Sequence, residues 1–505
     1  MQREGKTQEN LIRLFYLLTL IISTMFFSES LWAAPVSEAT EACLLCHASV
    51  TPGIVADWQD SRHAQITPGE AVTREIRARR ISFTAIPEEQ ADFSVGCAEC
   101  HTLNPQTHTD NFDHNDYQVH TVVTPPDCAV CHPVESEQYG ENLMAYAYVN
   151  LHENELYQTM ITAVNGLQRF INNVIILETP DNIVNGQSCF FCHGTEVTVT
   201  GQERRNTELG EMDFPILSGW PNTGVGRLNP DESRGSCSSC HPRHRFSIEV
   251  ARKPYTCSEC HKGPDVPAAK VYEVSKHGNI FNSFSEKWDF NNVPWVVGND
   301  FTAPTCAVCH VSLVVNAEGA VVSERSHKMN DRLALRLFGL IYAHPHPVSA
   351  NTTLITNQDG LPLPTELTGE SVMEYLIDTT EQEKRTAAMK KICLACHGSQ
   401  WVAGHFEGLN RTIEETNTMT LTATRIVVSA WRENLAMGRP QGDNIFDEAI
   451  EKMWVEQWLF YANSTRFAAA MVGADYGVFA NGRWYLSKNI QMMNDWLKLR
   501  RSLKK

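Results

Sequence analysis

The chain has 505 residues, of which 42% are hydrophobic and 20% are charged, a composition typical of globular proteins. It carries 42 basic and 59 acidic side chains, which gives a formal net charge of −17 at pH 7. This acidic balance disfavours binding to nucleic acid or to an anionic membrane surface. A basic protein partner would instead be attracted to it.

Residues 1–34 have the pattern of a secretory signal peptide. Basic residues precede an apolar run over residues 14–27, and the small residues Ala33 and Ala34 follow it. The alternative is a retained membrane anchor, but the run is shorter than the ~20 residues that span a bilayer. No later stretch is long and apolar enough to span, so the sequence predicts a soluble, exported protein.

The most specific pattern in the chain is a repeated cysteine motif. Its 16 cysteines form pairs with two residues between them, and a histidine follows each pair at once, with no cysteine left over. The cysteines are Cys43, Cys46, Cys97, Cys100, Cys128, Cys131, Cys189, Cys192, Cys237, Cys240, Cys257, Cys260, Cys306, Cys309, Cys393 and Cys396. The histidines that follow are His47, His101, His132, His193, His241, His261, His310 and His397.

The pattern Cys-x-x-Cys-His is the attachment signature of c-type haem. Two thiols three positions apart reach the two vinyl groups of one porphyrin, and the next residue supplies an imidazole to the iron. A zinc site would need two cysteine pairs per ion, or one pair and two spaced histidines. Disulfides are common in exported proteins but require no histidine after each pair. The sequence therefore predicts eight covalently bound c-type haems.

The sixth iron ligands must come from the remaining side chains. Of the 19 histidines, eleven lie outside the motifs, enough for eight bis-histidine haems or for seven and one open catalytic haem. Their polar context between motifs favours four of them as distal ligands. These are His63, His244, His277 and His327.

Two further ligand positions have competing candidates. His114 and His120 compete for one role, and we favour His120. His152 competes with Met144, whose thioether is also a haem ligand, and we favour His152. The other histidines remain open candidates: His108, His344, His346 and His405.

The motifs divide the chain unevenly. Residues 35–345 carry seven of them, separated by short polar stretches with Pro and Gly, so porphyrins rather than an ordinary side-chain core are predicted to fill the interior. Residues 194–236 are predicted to be a loop insertion, and residues 346–368 a connector.

From about residue 369 the pattern becomes helical. Apolar residues between Ile445 and Ala462 recur at helical spacing, with Asp443 or Asn444 as the candidate N-cap, and residues 371–392 and 412–434 are similar. The sequence predicts a mainly α multihaem cytochrome c. Its parts are a signal peptide at 1–34, a haem-packed N-terminal region at 35–345 and a C-terminal long-helix bundle with the eighth motif at 346–505.

Several blocks of sequence, in order along the mature chain, resemble the octahaem hydroxylamine oxidoreductases, including the hydrazine-oxidising relatives of anammox bacteria. One block is Cys-Ser-Ser-Cys-His-Pro-Arg-His-Arg-Phe-Ser at 237–247. Others are Arg-Lys-Pro-Tyr-Thr-Cys-Ser-Glu-Cys-His-Lys-Gly-Pro-Asp at 252–265, Ser-Lys-His-Gly at 275–278 and Ala-Pro-Thr-Cys-Ala-Val-Cys-His at 303–310.

The resemblance implies a mainly helical subunit of a homotrimer, whose fourth haem is catalytic, five-coordinate and open on its distal side. In this chain that haem would be held by Cys189, Cys192 and His193. In oxidative members a tyrosine of a neighbouring subunit is bonded to this porphyrin. Tyr476 is the position that we match to it, with Tyr461 as second choice and an ordinary buried aromatic as the alternative.

The resemblance also implies a proton acceptor just after the sixth motif, where the family has an Asp-His pair. Here Asp265 is present, but Val266 stands where the family has histidine, the side chain that best accepts protons near neutral pH. Tyr342 is a further candidate for the distal pocket. The departure at Val266 puts the direction of the reaction in doubt.

These features lead to three hypotheses. The first is oxidation of hydroxylamine or hydrazine at the His193 haem, with electrons passing through seven haems to a soluble or membrane cytochrome c. The second is the reverse direction, reduction of nitrite or hydroxylamine. The third is a catalytically silent electron-transfer subunit paired with a paralogue. Each fits an exported protein in the periplasm or an equivalent compartment such as the anammoxosome.

Overall fold

The computed structural model describes residues 34–83, 86, 88–207 and 210–504. Residues 1–33 of the predicted signal peptide lie outside the described residues. The prediction of a mainly α chain is confirmed, because helices dominate and strands form only small sheets. Among the residues that the structure describes, no helix combines the length and the apolar character needed to cross a membrane.

The N-terminal two thirds of the chain contain short helices, most of them one to three turns long. They are α1 (Glu38–Val50), α2 (Pro52–Gln59), α3 (Arg62–Gln65), α4 (Pro68–Thr73), α5 (Glu88–Ala91), α6 (Ala98–His101), α7 (Pro125–Ala129), α8 (Pro133–Gly140), α9 (Ala147–His152), α10 (Glu155–Asn165), α11 (Asn182–Gln187), α12 (Cys189–His193), α13 (Ile248–Arg252), α14 (Pro254–Ser258), α15 (Ala268–Val274), α16 (Lys276–Phe284) and α17 (Cys306–His310). Five of them begin with proline, whose fixed φ suits the first helical turn.

The C-terminal part contains the longest of the described helices together with several short ones. They are α18 (Thr379–Leu394), α19 (Ser399–Arg432), α20 (Ala449–Val455), a π-helical segment (Glu456–Ala462), α21 (Asn463–Met471), α22 (Ala474–Val478) and α23 (Arg483–Leu503). Single 3₁₀ turns occur at Ile76–Ala78, Cys237–Ser239, Ser285–Lys287, Met373–Tyr375 and Arg439–Gln441.

The strands pair as small, mostly antiparallel sheets. They are β1 (Phe112–His114) with β2 (Tyr117–Val119), β3 (Leu167–Ile171) with β4 (Val174–Glu178), β5 (Thr198–Thr207) with β6 (Gly210–Ser218), and β10 (Leu335–Arg336) with β11 (His344–Pro345). β8 (Val314–Val315) pairs with β7 (Trp295–Val296) in parallel and with β9 (Val321–Ser323) in antiparallel.

The prediction of a loop over residues 194–236 is wrong for much of that stretch. Residues 198–207 and 210–218 form the β5–β6 hairpin, with Val199 opposite Leu217 and a register shift at Gly201. Most side chains of the two strands are exposed, as suits a two-stranded ribbon with both faces in solvent.

The predicted start of the helix near residue 445 is also wrong. Helix α20 begins at Ala449, and Glu448 and Glu451 form its capping box. Ile445 and Phe446 are buried in the same apolar core but precede the helix in irregular backbone. Because both residues are buried, they extend the helical spacing of apolar residues in the sequence, although their backbone is not helical.

Two large apolar cores are formed, and each includes residues from both sides of residue 345. The larger one joins the long helices around Trp431, Trp454 and Trp458. A second core, around Trp295, lies mainly within the haem-rich region and includes Phe281 and Phe301. The expectation that this region has no ordinary side-chain core is therefore wrong near residues 272–322, where aromatic residues are concentrated.

Candidate functional site

The Cys-x-x-Cys-His motifs are helical turns. The histidine N–H donates to the carbonyl of the first cysteine, at 2.9 Å from His101 to Cys97 and at 2.8 Å from His132 to Cys128. A helical turn puts residues three apart on one face, so the two thiols of a motif point to the same side and the histidine follows them.

A cavity of about 1710 Å³ is lined by residues from the second to the eighth motif. Pockets for single small molecules have about 300–1,000 Å³, so this space suits several large groups. Two buried polar atoms in residues of its wall, Nε1 of Trp458 and Nε of Arg336, have no hydrogen-bond partner among the described residues. Such donors fit carboxylates like those of haem propionates.

All 16 cysteines lie in the described part of the chain. Cysteines of different motifs lie beside one another. The neighbouring pairs are Cys43 with Cys97, Cys128 with Cys237, Cys192 with Cys260, and Cys257 with Cys306. The fourth motif therefore lies beside the sixth, and the sixth lies beside the seventh.

Four motif histidines face a second histidine ring at a common distance. The ring centroids are 6.1 Å apart for His47 and His114, 6.3 Å for His63 and His132, 6.3 Å for His101 and His244, and 6.1 Å for His277 and His397. A metal–imidazole bond of about 2 Å on each side of one iron, with a ring radius beyond each nitrogen, accounts for this separation. These pairs fit bis-histidine haems.

The Nδ1 atoms of motif histidines are held by nearby oxygens. His101 Nδ1 lies 2.8 Å from the His120 carbonyl, His47 Nδ1 lies 3.0 Å from the Thr51 hydroxyl, and His193 Nδ1 lies 3.3 Å from the Ala147 carbonyl. Such a bond orients the ring and leaves Nε2 for a metal.

His120 lies on the Nδ1 side of His101, since its own carbonyl accepts that bond. Its ring stacks on His108 at 3.5 Å between centroids, although it is also 6.0 Å from the His101 ring. This arrangement favours His244 over His120 as the ligand opposite His101, and His114 over His120 as a haem ligand. The ligand role of His120 stays a prediction.

His327 lies close to His241. Burial, followed by His327, His132 and His63, lowers the pKa of His241 to about 3. A histidine that stays neutral can bind a metal. The predicted role of His327 as the ligand opposite His241 is thus compatible with its position.

The candidates for the other distal positions lie in different surroundings. Met144 lines the cavity, whereas His152 is exposed and stacks on Tyr148 at 5.1 Å between centroids. His344 and His346 are buried, and His344 Nδ1 lies 2.6 Å from the Pro345 carbonyl. The oriented ring of His344 has the geometry of a metal ligand, which no local sequence pattern indicated.

Gly194 and the residues that follow the sixth motif lie close to the fourth motif. Gly194 follows His193 with a φ of 100°, and a Cβ there would collide with Arg227 N. Burial lowers the pKa of His193, while the Ala147 carbonyl and the Asp265 carboxylate act in the opposite direction. Burial also lowers the pKa of His261, again opposed by Asp265. Asp265 therefore lies near both histidines, and Asp265 and Val266 both line the cavity.

The three predicted tyrosines lie in different places. Tyr476 is half-buried on α22, and Tyr461 donates a hydrogen bond of 3.0 Å to Glu456. Tyr342 is buried in the helical core, where its hydroxyl bonds to the Leu367 carbonyl at 2.9 Å and to Thr424 at 3.1 Å. This position favours a packing role for Tyr342, and its catalytic role stays a prediction.

Comparison with known proteins gives matches to multihaem cytochromes. Residues 229–330 match the family described as "Seven times multi-haem cytochrome CxxCH". A curated relative is a probable nitrite reductase-hydroxylamine oxidoreductase fusion protein of Kuenenia stuttgartiensis, 25% identical over 423 residues. The match covers 79% of this chain and 39% of the fusion protein, so the chain spans about two fifths of that relative.

Two solved structures are similar over nearly the whole chain. One is a hypothetical multiheme protein, 40% identical, with a TM-score of 0.87 and coverage of 94% of this chain and 97% of the other. The other is a reducing HAO-like protein complex of Kuenenia stuttgartiensis, 18% identical, with a TM-score of 0.61 over 92% of this chain and 86% of the other. At that identity the second match concerns the fold alone.

Proposed function

The chain belongs to the multihaem cytochromes, and on that premise we propose that it is a hydroxylamine oxidoreductase-like enzyme that oxidises hydroxylamine or hydrazine. The substrate would react at the haem of Cys189, Cys192 and His193. Electrons would leave first through the haem of Cys257, Cys260 and His261.

The observation that carries this proposal is the contact between the fourth and sixth motifs. The Cys192 and Cys260 side chains lie close together, and Asp265 acts electrostatically on both His193 and His261. Cysteines of the sixth and seventh motifs, and of the third and fifth, are neighbours in the same way. A reacting centre beside an electron exit is what a substrate oxidation requires.

The bound haem iron would supply the electron-accepting centre. The chain itself must take up the protons that are released as N–H and O–H bonds of the substrate are broken. Asp265, on the cavity wall, is the carboxylate nearest to this task. Val266 beside it offers no base, so proton transfer would depend on Asp265 and on water.

The remaining parts of the proposal concern cofactors and partners. Eight haems would be attached, and Tyr476 would bond to the catalytic haem of a neighbouring copy in a homotrimer. Exposed apolar side chains follow Tyr476 in the sequence, with Phe479 at 65% and Trp484 at 58% exposure, as expected for a surface that a second subunit covers. The protein would act outside the cytoplasm and pass electrons to a soluble or membrane cytochrome c.

The test is the spectrum and turnover of the purified, dithionite-reduced holoprotein. A tyrosine-linked haem would give an absorption band to the red of ordinary c-haems. We expect Tyr476→Phe to abolish both this band and hydroxylamine oxidation, while Tyr461→Phe, the matched control, keeps both. Normal oxidation by Tyr476→Phe would refute the cross-link, and no oxidation of either substrate by wild type would refute the proposed direction.

A second candidate is the reductive direction, with nitrite or hydroxylamine as electron acceptor. Val266 favours it, since the family's histidine base is replaced by an apolar side chain on the cavity wall. We expect Val266→His to speed hydroxylamine oxidation if proton removal limits the rate. An unchanged pH–rate profile, together with nitrite reduction by wild type, would favour the reductive function instead.

A further inference from the structure

Three side chains outside the haem motifs form a buried cluster with the donor atoms of a metal site. They are His108, His120 and Asp127, and their ligand atoms lie within 4.8 Å of one another. His108 Nε2 lies 3.3 Å and His120 Nε2 lies 3.6 Å from Asp127 Oδ2. The two imidazoles are parallel, with an interplanar angle of 5°.

We propose that this cluster binds one divalent transition-metal ion, zinc in the first instance. Zinc takes two imidazoles and a carboxylate at bond lengths of about 2.0–2.2 Å, so ligand atoms in a tetrahedral site are roughly 3.3 Å apart. The two nitrogen–oxygen separations in the cluster are close to that value. Imidazole and carboxylate donors without thiolate suit zinc and its neighbours in the first transition row.

The buried ring of His120 is an independent observation that indicates a bound ion. Its side chain is fully buried, yet neither Nδ1 nor Nε2 has a hydrogen-bond partner among the described residues. A buried polar group without a partner costs about 1–3 kcal/mol. Nε2 lies 3.6 Å from Asp127 Oδ2, which is too far for a hydrogen bond but within the separation of two ligands of one metal ion.

The surroundings orient the ligands as metal sites do. His108 Nδ1 lies 3.2 Å from Asp110 Oδ1, and the backbone N–H groups of Thr121 and Val122 donate to Asp110 Oδ2. This is a carboxylate–histidine–metal arrangement, which fixes the ring and its tautomer. Asp127 is held in turn, because Asn104 Nδ2 donates to its Oδ1 and the Thr124 N–H donates to its Oδ2.

Charge supports a divalent cation. Asp110 and Asp127 bring two carboxylates into a site whose side chains are almost fully shielded from solvent. A charge buried without compensation is strongly destabilising. One divalent ion with neutral imidazoles makes the site electrically neutral.

The site is separate from the haem cavity. Asp127 lines that cavity, but neither His108 nor His120 does. The His120 carbonyl holds the ring of His101 in the second motif, and Asp127 directly precedes Cys128 of the third. A metal ion here would fix the attachment points of two neighbouring haems relative to each other, whatever substrate the protein uses.

The test is element analysis of the purified holoprotein by plasma mass spectrometry, after dialysis against a weak chelator and with haem measured separately. We expect about one zinc per chain in wild type, and at least a tenfold lower zinc-to-haem ratio in His120→Gln and in Asp127→Asn. Asp113→Asn, an exposed aspartate in the same segment, is the matched control and keeps the zinc.

X-ray absorption at the zinc edge should give nitrogen and oxygen ligands without sulfur. Two outcomes would overturn the proposal. One is wild-type holoprotein that holds no stoichiometric zinc or similar divalent metal even after incubation with zinc chloride. The other is zinc that remains in His108→Gln/His120→Gln, which would identify an adventitious ion. The wild-type measurement decides even if a variant fails to fold.

Discussion

Histidines from separate segments meet as pairs, and the distances within the pairs suit two histidines that bind one iron from opposite sides. His101 and His244 are 143 positions apart in the numbering, yet their rings lie 6.3 Å from each other. His120 is nearer to His101 in sequence, and its ring is about as close to the His101 ring as that of His244, but it stacks on His108. The hydrogen bond from His101 Nδ1 to the His120 carbonyl puts the metal-binding nitrogen on the opposite side of the ring.

We therefore expect His244→Ala to open one haem. The reduced variant should bind one more carbon monoxide per chain than wild type, because the iron opposite His101 loses its sixth ligand. His120→Ala is the control and should bind no additional carbon monoxide. The measurement is a titration followed in the Soret band. If His120→Ala opened a haem and His244→Ala did not, the two roles would be exchanged.

The sequence predicts the attachment residues directly, because each motif is complete within five residues. The distal ligands could not be ranked in the same way, since each depends on where another segment folds. His114 and His120 have similar polar neighbours, yet His114 faces His47 and His120 turns toward His108. Tyr342 illustrates the same limit, because only the fold reveals that its hydroxyl bonds within the helical core.

At the scale of elements, helix α20 and the π-helical segment connect the apolar core to the haem cavity. Trp454 is in the core, whereas Trp458, in the wider π turn, also lines the cavity. The apolar periodicity predicted a helix here, but the wider turn has no signature in that pattern. Glu451 lies at the start of this segment, where it caps the helix and accepts a hydrogen bond of 2.7 Å from Trp431 Nε1.

Glu451 should make stability depend on pH. Burial raises its pKa to about 7, against roughly 4.3 in an unfolded chain. The folded state then favours the protonated acid. The contribution of Glu451 to folding stability is therefore fully present below about pH 4 and is lost as pH rises through 7. A shift of this size corresponds to about 4 kcal/mol.

We expect the thermal midpoint of the holoprotein to fall between pH 5 and pH 8, and to fall less in Glu451→Gln, which does not titrate. Glu407→Gln, at an exposed position of α19, serves as the control and should follow wild type. Calorimetry at one scan rate across the pH series measures the difference. Parallel curves for wild type and Glu451→Gln would mean that Glu451 is already charged in the folded protein.

At the scale of the whole molecule, the interior is of two kinds. The long helices share a side-chain core, whereas much of the haem-rich region surrounds the large cavity. The predicted boundary near residue 345 stays a prediction, because Leu156, Leu340 and Tyr342 from before it also belong to the helical core. The motif density predicted that haem fills the interior of the N-terminal region, but it gave no sign of the aromatic core around Trp295, whose members come from several short elements.

This division predicts how the chain behaves without haem. In a host that lacks haem attachment, the segments around the cavity lose the groups that fill it, and a cavity of that size is far too costly to keep open. Helices α19 and α23 pack on each other through side chains alone, with Ala423, Val427, Met493 and Leu497 among the buried residues. We expect hydrogen exchange to protect these helices in the haem-free chain while residues 34–140 exchange freely. Equal protection of both regions would mean that the N-terminal region does not need haem to fold.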